Sequence, residues 1–193
     1  MRREAVPRFP MKLTISRDNP CLYLTVVCKD RLPVFRKDDF KELVCQSLNE
    51  ARQSGEFLIF AYVIMPDHLH VITDRPRQPS EILRFVKGIT AHRVIAYLKE
   101  QGYQTSLEKL RHQEKDRGYR YSLWQHESNV LELTSESFFM QKVNYIHLNP
   151  VRAGLVEKAV DYRWSSARIW AGRAAEDEPL QVDMNKIKWR QVK

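Results

Sequence analysis

The chain has 193 residues, of which 43% are hydrophobic, so it can form one domain with a packed core and additional terminal segments. This composition excludes disorder along the whole chain. The formal net charge of +8 favours an anionic partner, nucleic acid before an acidic membrane surface, although a basic protein without such a partner carries the same charge.

The cysteines and the apolar runs indicate the cellular compartment of the protein. Cys21, Cys28 and Cys45 match no zinc-ligand spacing, and the N-terminal MRREAVPRFPM lacks the apolar stretch of a signal peptide. The longest apolar run, FLIFAYVIM, is too short to span a bilayer. We therefore expect a cytoplasmic protein with free thiols and no membrane partner.

The first half of the chain predicts a strand, a helix and then two further strands. Residues 1–20 combine arginines with three prolines, which indicates an extended basic arm. CLYLTVVC has the composition of a strand, and the apolar spacing that follows predicts a helix ending at Gly55. EFLIFAYVIM and HLHVIT then predict two strands joined across a tight turn at Pro66 and Asp67.

The second half predicts two further helices. PSEILRFVKGITAHRVIAYLKE predicts a helix with Ser80 as its N-cap, and the polar stretch Gln101–Arg120 predicts a loop. YRYSLW predicts a strand, and ESFFMQKVNYIHL predicts a helix that ends near Asn149, because a residue before proline disfavours helical dihedrals.

The order β-α-β-β-α-β-α predicts an α+β sandwich with an antiparallel sheet and helices packed on it. We expect the domain to span residues 21–170, with Trp164, Trp170 and Phe138 in its core, and a C-terminal tail over residues 171–193.

Two histidines in the MPDHLH stretch are the first candidate site. On a strand, His68 and His70 point to the same face while Leu69 points to the other. Their Cα atoms would be about 6.5–7 Å apart, close enough for both imidazoles to reach one ion. Two histidines that bind no metal explain the same pattern, so both interpretations stay open.

Tyr145 and Asn149 are the second candidate pair. They are four residues apart, so they share one helix face, where a phenol and an amide oxygen would project together. An aromatic helix end stopped by Asn-Pro is the alternative. His147 faces away from Tyr145 and is not a candidate ligand.

Five stretches in a fixed order carry a family resemblance over roughly residues 22–170: YVIMPDHLHVIT, SEILRFVKGITAHRVI, LWQ, VNYIHLNPVRAGLV and YRWSSA. This ordered set resembles the REP-associated tyrosine transposases, a bacterial branch of the single-tyrosine, His-hydrophobic-His (HUH) transposases. The chain departs from the family pattern after Trp124 and Gln125, where HESNVLEL follows.

The resemblance implies a ferredoxin-like (RRM-like) sandwich in which His68, His70 and Asn149 hold a divalent metal ion, Mg²⁺ or Mn²⁺. Tyr145 would cut single-stranded DNA through a 5′-phosphotyrosine intermediate and rejoin strands, acting on REP-type hairpins. It also implies a bacterial, nucleoid-associated enzyme, with a monomer favoured over a homodimer. A phenol, with a pKa of about 10, needs activation or placement for this task.

Several basic and aromatic residues are candidate DNA contacts. Cations interleaved with aromatic rings suit phosphates and stacked bases, although solvated surface charge is the alternative. The candidates are Arg2, Arg3 and Arg8 in the arm, Lys87 and Arg93 on the helix after the histidines, and Arg117, Tyr119 and Arg120.

The sequence is compatible with three functions. The first is a metal-dependent endonuclease and strand transferase with Tyr145 as nucleophile. The second is a DNA-hairpin-binding or regulatory protein without catalysis, and the third is a phosphodiesterase that uses activated water. The presence together of two histidines, Tyr145 and Asn149 favours the first, because a protein that only binds DNA does not need all four.

Overall fold

A four-stranded antiparallel sheet forms the centre of the protein. The computed structural model describes residues 13–111 and 120–190. The strands and helices follow in the order β1 Cys21–Val27, α1 Asp38–Gly55, β2 Ile59–Ile64, β3 His68–Thr73, α2 Pro79–Glu100, α3 Gln104–Leu110, β4 Asn129–Leu133, α4 Glu136–Arg152 and α5 Ala167–Trp170. The sheet order is β2-β3-β1-β4, all pairs being antiparallel. This order confirms the predicted ferredoxin-like α+β sandwich.

The two faces of the sheet carry different helices. Val63 of β2 pairs with His70, so both lie on one face, and Tyr62 lies on the other. Tyr62 is fully buried, and α1, which packs extensively on α2, also contacts β2. The α1–α2 layer therefore covers the face opposite the histidines.

Helix α1 ends where two aromatic rings come close to the backbone. A Cβ atom at Gly55 would lie 2.8 Å from the Phe57 ring and 2.9 Å from the Phe85 ring. Only glycine leaves room for this contact between α1, α2 and the segment before β2, and the chain then turns through Glu56, which has a φ of 53°.

Helices α2 and α4 differ from their predicted ends. Gln78, not Ser80, is the N-cap of α2, because Gln78 and Glu81 cap each other's backbone groups and Pro79 fits the first helical position. Helix α4 does not end near Asn149 but continues through Pro150 to Arg152. Proline removes only one hydrogen bond so close to the helix end, and the Pro150 carbonyl accepts from Leu155 N–H.

The fourth strand and the loop before it also differ from the prediction. In the described part of YRYSLW, residues 120–124, only Tyr121 and Trp124 form isolated bridges, and the strand is Asn129–Leu133. Its pairing with β1 places it at the sheet edge, so Asn129 and Glu132 stay exposed and its apolar pattern is weak. Within the predicted loop Gln101–Arg120, residues 104–110 form α3.

The core contains Trp164, as predicted. Trp170 and Phe138 are only half-buried, and the residue after Phe138, Phe139, is fully buried instead. All three cysteines are buried free thiols. Across residues 13–111 and 120–190, no helix combines the length and the apolar character that crossing a bilayer needs. The predicted boundaries at residues 20 and 170 stay predictions.

Asp74, just after β3, makes the free energy of unfolding depend on pH. Its carboxylate accepts a 2.7 Å hydrogen bond from Leu58 N–H, yet burial, with a smaller contribution from Asp183, raises the pKa of Asp74 to about 6. The folded state therefore binds the proton more tightly than the unfolded state. This contribution to stability is complete below about pH 4 and is lost as the pH rises through 6.

We expect Asp74→Asn, which imitates the protonated acid, to raise the free energy of unfolding at pH 8 by up to about 3 kcal/mol relative to wild type. The two proteins should differ little at pH 4. Urea unfolding at both pH values measures the difference. An advantage of the variant that is equal at both pH values would contradict the assigned pKa.

Candidate active site

The His68 and His70 rings lie side by side on one face of the sheet. Their ring centres are 4.9 Å apart, and His70 pairs across β1 with Thr25. Strand alternation therefore brings both imidazoles to the face that also carries Tyr23, as the sequence predicted.

His68 is oriented by the carboxylate before it. Its Nδ1 atom lies 2.5 Å from Asp67 Oδ1. The other carboxylate oxygen, Asp67 Oδ2, accepts a 3.0 Å hydrogen bond from the Arg31 guanidinium. Burial alone would raise the pKa of Asp67, but the hydrogen bond from His68 and the Arg31 charge together lower it. An ionised Asp67 only accepts, so His68 donates from Nδ1 and its Nε2 lone pair is available to a ligand.

His70 is more deeply placed. Only 4% of its surface is exposed, and its Nδ1 atom lies 2.9 Å from both the Tyr23 and Thr25 hydroxyls. Burial, then the nearby His68 and Lys142 charges, lowers the pKa of His70 to about 3, so the ring is neutral at physiological pH. Where Nδ1–H donates to one of these hydroxyls, Nε2 is free to bind a metal.

Tyr145 brings a phenol to this histidine face from α4. Its ring centre is 5.7 Å from that of His70 and 6.4 Å from that of Tyr23, both in edge-to-face orientation. The side chain is 38% exposed, so solvent or a substrate can reach it. The structure thus brings together three of the four residues that the sequence singled out.

Helix α4 has two contrasting faces. One is buried, where the His147 ring lies 2.8 Å from the Ser166 hydroxyl, which fits its exclusion as a ligand. The other face carries a stripe with the spacing 3-4-3, defined as the nucleophile stripe: Lys142, Tyr145, Asn149 and Arg152. The Asn149 amide nitrogen donates to the Tyr145 carbonyl at 3.0 Å, and no hydrogen bond joins Asn149 to either histidine.

The residues present fit a divalent cation. Two imidazoles, each with its Nδ1 engaged by a neighbouring side chain, are the arrangement that metal-binding histidines need. Within the described ranges, no group of three or more His, Cys, Asp or Glu side chains could hold a metal. Asn149 on the nucleophile stripe is the amide ligand that the sequence predicts beside the two histidines. These ligand roles stay predictions.

The predicted DNA contacts differ in their surroundings. The Lys87 ammonium donates to the Gln125 and His126 carbonyls at 2.9 and 3.1 Å, which gives it a complete structural role. Arg93 pairs with Glu50 of α1. Arg120 is exposed, with its guanidinium 5.7 Å from the centre of the Tyr121 ring. Outside the described residues lie Arg2, Arg3, Arg8, Arg117 and Tyr119.

A groove of about 1090 Å³ runs along α2. Its lining combines cations with aromatic rings: the Lys99 ammonium lies 5.3 Å and the Arg120 guanidinium 5.7 Å from the centre of the Tyr121 ring. Such a surface suits a nucleic-acid strand.

Sequence reasoning missed four residues around the site. Lys142 and Arg152 have the helical spacing of Tyr145, and this signal was present in the sequence. Tyr23 and Thr25 contact His70 only because of the register between β1 and β3, which local patterns do not give.

Comparison with known proteins identifies the family of this chain. Residues 21–147 match the family described as "Transposase IS200 like". A Haemophilus influenzae protein inferred to be a REP-associated tyrosine transposase is 28% identical over 146 residues, which cover 75% of this chain and 77% of that protein.

A solved structure shares the fold. It is a REP-associated tyrosine transposase bound to a REP hairpin, with a TM-score of 0.59 and 18% identity, covering 94% of this chain and 93% of that one. At this identity the likeness supports the fold alone, and the family match carries the assignment. The resemblance to REP-associated tyrosine transposases is confirmed, and the chain belongs to the IS200-like transposase family.

Proposed function

We propose that this protein is a metal-dependent single-strand DNA endonuclease and strand transferase that acts through a phosphotyrosine at Tyr145. The observation that carries the proposal is the half-exposed Tyr145 phenol beside His70, on the sheet face that His68 shares. A nucleophile and a pair of metal-ligand side chains in contact are what a phosphodiester transesterase requires.

His68 and His70 would hold the divalent cation, Mg²⁺ or Mn²⁺, with Asn149 as the amide ligand. Such a cation supplies Lewis-acid polarisation of a phosphate oxygen. Asp67 fixes the orientation of the His68 ring, and Tyr23 with Thr25 fixes that of His70. The burial of His70 keeps its ring neutral and therefore competent as a ligand.

Tyr145 would form the covalent bond to DNA. Its oxygen attacks phosphorus and the bond to the 3′ oxygen breaks, which leaves a 5′-phosphotyrosine and a free 3′-OH. Because the ester bond is conserved in the intermediate, reversal by a 3′-OH rejoins the strand without ATP. The exposure of Tyr145 leaves room for the phosphate to approach.

We propose single-stranded DNA next to REP-type hairpins as the substrate. The support is that the structural neighbour is bound to a REP hairpin and that this chain has a net charge of +8 and a cationic, aromatic groove along α2. The monomeric state and the nucleoid location stay predictions.

Incubation with a hairpin that carries labelled single-stranded flanks tests the proposal. With Mn²⁺ or Mg²⁺, wild type should produce a protein–DNA adduct that survives a denaturing gel, together with a free 3′-OH fragment. EDTA should prevent both. Hairpin binding with no adduct and no cleavage would support the non-catalytic alternative, and cleavage with no adduct would support activated water as the nucleophile.

Asp67→Ala should weaken Mn²⁺ binding by about 10–100-fold, because His68 loses the carboxylate that sets its tautomer and orientation. Calorimetric titration with Mn²⁺ measures the affinity independently of activity. Asp18→Ala, at an exposed carboxylate in the segment before β1, is the matched control and should bind as wild type does. Equal affinities for all three proteins would remove Asp67 from the metal site.

A further inference from the structure

Lys142 lies one helical turn before Tyr145, over two rings that line the histidine face. Its ammonium nitrogen is 5.5 Å from the centre of the Tyr145 ring and 4.9 Å from that of the Tyr23 ring. The Tyr23 ring stacks on His70 with 5.3 Å between centres. Lys142 therefore holds its charge next to both the nucleophile and one member of the histidine pair.

This ammonium has no acidic partner in the described part of the chain. Other cations there do pair with carboxylates, as Arg93 does with Glu50 and Arg52 does with Asp183. Lys142 is half-buried, and its neighbours are the faces of aromatic rings. A positive charge that is partly desolvated and lacks a counter-ion is ready to receive an anion.

We propose that Lys142 is a further catalytic residue, whose ammonium binds a non-bridging oxygen of the phosphate that Tyr145 attacks. This inference rests on the proposed function. The stripe spacing points Lys142 and Tyr145 to the same side of α4, so one phosphate can meet both the phenol oxygen and the ammonium.

The step that Lys142 assists is balanced without a further reagent. Tyr145 Oη forms the bond to phosphorus as the bond to the 3′ oxygen breaks, the phenolic proton passes to solvent, and the departing oxygen takes a proton from solvent. Negative charge on the phosphoryl oxygens increases during the attack. A cation already in place therefore stabilises the transition state more than it stabilises the ground state.

Arg152 is the other cation beside the nucleophile, with its guanidinium 5.2 Å from the centre of the Tyr145 ring. It is exposed, and unlike Lys142 it makes no contact with the Tyr23 ring. Lys142 is therefore the cation on the histidine side of the phenol, which is why the proposal names it.

A purely structural role is the alternative, since a cation over aromatic rings also holds α4 against the sheet. The two roles predict different measurements. A structural Lys142 would lower the melting temperature when replaced, with little change in the rate of the folded protein. A phosphate-binding Lys142 would lower the rate of the chemical step in a protein that remains folded.

Single-turnover cleavage with saturating hairpin DNA distinguishes them. For Lys142→Met, which keeps the length and apolar stem, we expect the rate of adduct formation to fall about 100-fold. The DNA affinity should fall less than about 10-fold, because one phosphate contact is lost among several. Lys142→Arg should recover much of the rate, since it restores the charge.

Lys37→Met is the matched control, because the Lys37 ammonium lies 5.0 Å from the centre of the Tyr103 ring, away from the histidines. It should cleave at the wild-type rate. If Lys142→Met does not fold by circular dichroism, Lys142→Gln replaces it in the same assay.

A folded Lys142→Met or Lys142→Gln protein that cleaves within about 3-fold of wild type would overturn the inference and leave the proposed function intact. Wild type that forms no adduct would overturn both.

Discussion

Tyr145→Phe should abolish the covalent protein–DNA adduct and lower metal-dependent cleavage by at least about 1000-fold. The phenol oxygen is the only atom that the substitution removes, and the ring that contacts His70 and Tyr23 remains. The variant should therefore stay folded and bind hairpin DNA with affinity close to that of wild type. A denaturing gel with end-labelled DNA reports adduct and cleavage in the same lane.

Tyr97→Phe is the control for this prediction, because Tyr97 packs against Phe40 on the α1–α2 side of the sheet. It should form the adduct as wild type does. An adduct that persists in Tyr145→Phe would show that another side chain is the nucleophile, and cleavage that persists without an adduct would show that water is.

The choice of Tyr145 among the tyrosines has a physical basis beyond its motif. Tyr62 and Tyr162 are buried, and burial raises the pKa of each phenol. Tyr23 is only 5% exposed, and burial raises its pKa to about 12, so it supports His70 and cannot reach a phosphate in solvent. Among the residues that the structure describes, Tyr145 combines an exposed phenol with contact to the histidine pair.

The main elements of the site could be predicted because their signals are local. Alternation along β3 put His68 and His70 on one face, and the four-residue spacing put Tyr145 and Asn149 on one side of α4. That α4 lies over the histidines follows from packing between residues far apart in sequence, which local patterns do not determine.

The supporting residues could not be predicted because they depend on strand register. Thr25 reaches His70 only in the observed pairing between β1 and β3. A shift of the register by one residue would turn the Thr25 hydroxyl to the opposite face of the sheet. Edge strand β4 was missed for a related reason, since pairing with β1 and not its own pattern makes it a strand. The end of α4 was misplaced because the preference of a pre-proline residue yields to the helical hydrogen bonds around it.

The C-terminal segment is joined to the sheet by a buried ion pair. Asp183 and Arg52 are 4% and 9% exposed, and the Arg52 guanidinium donates to Asp183 Oδ2 at 2.5 Å. The same oxygen accepts a 3.1 Å hydrogen bond from Ile59 N–H, while Asp183 N–H donates to the Ile59 carbonyl at 2.7 Å. The segment therefore satisfies backbone groups at the outer side of β2, an edge strand.

Asp183→Ala should lower the free energy of unfolding by about 3–5 kcal/mol, because it leaves the Arg52 charge buried without a counter-ion. Urea unfolding followed by circular dichroism measures this loss. Replacing Arg52 by methionine in the same protein should recover part of it, since the uncompensated charge is then gone while the apolar stem is kept.

Asp177→Ala provides the contrast within the same C-terminal segment. Asp177 pairs with Arg163 at 2.7 Å, but its side chain is 68% exposed, so solvent screens the pair and its loss should change stability little. The difference between the two variants isolates burial from the mere presence of an ion pair. Equal losses for Asp183→Ala and Asp177→Ala would mean that the segment is held by its apolar contacts, such as those of the fully buried Leu180, and not by the Arg52 pair.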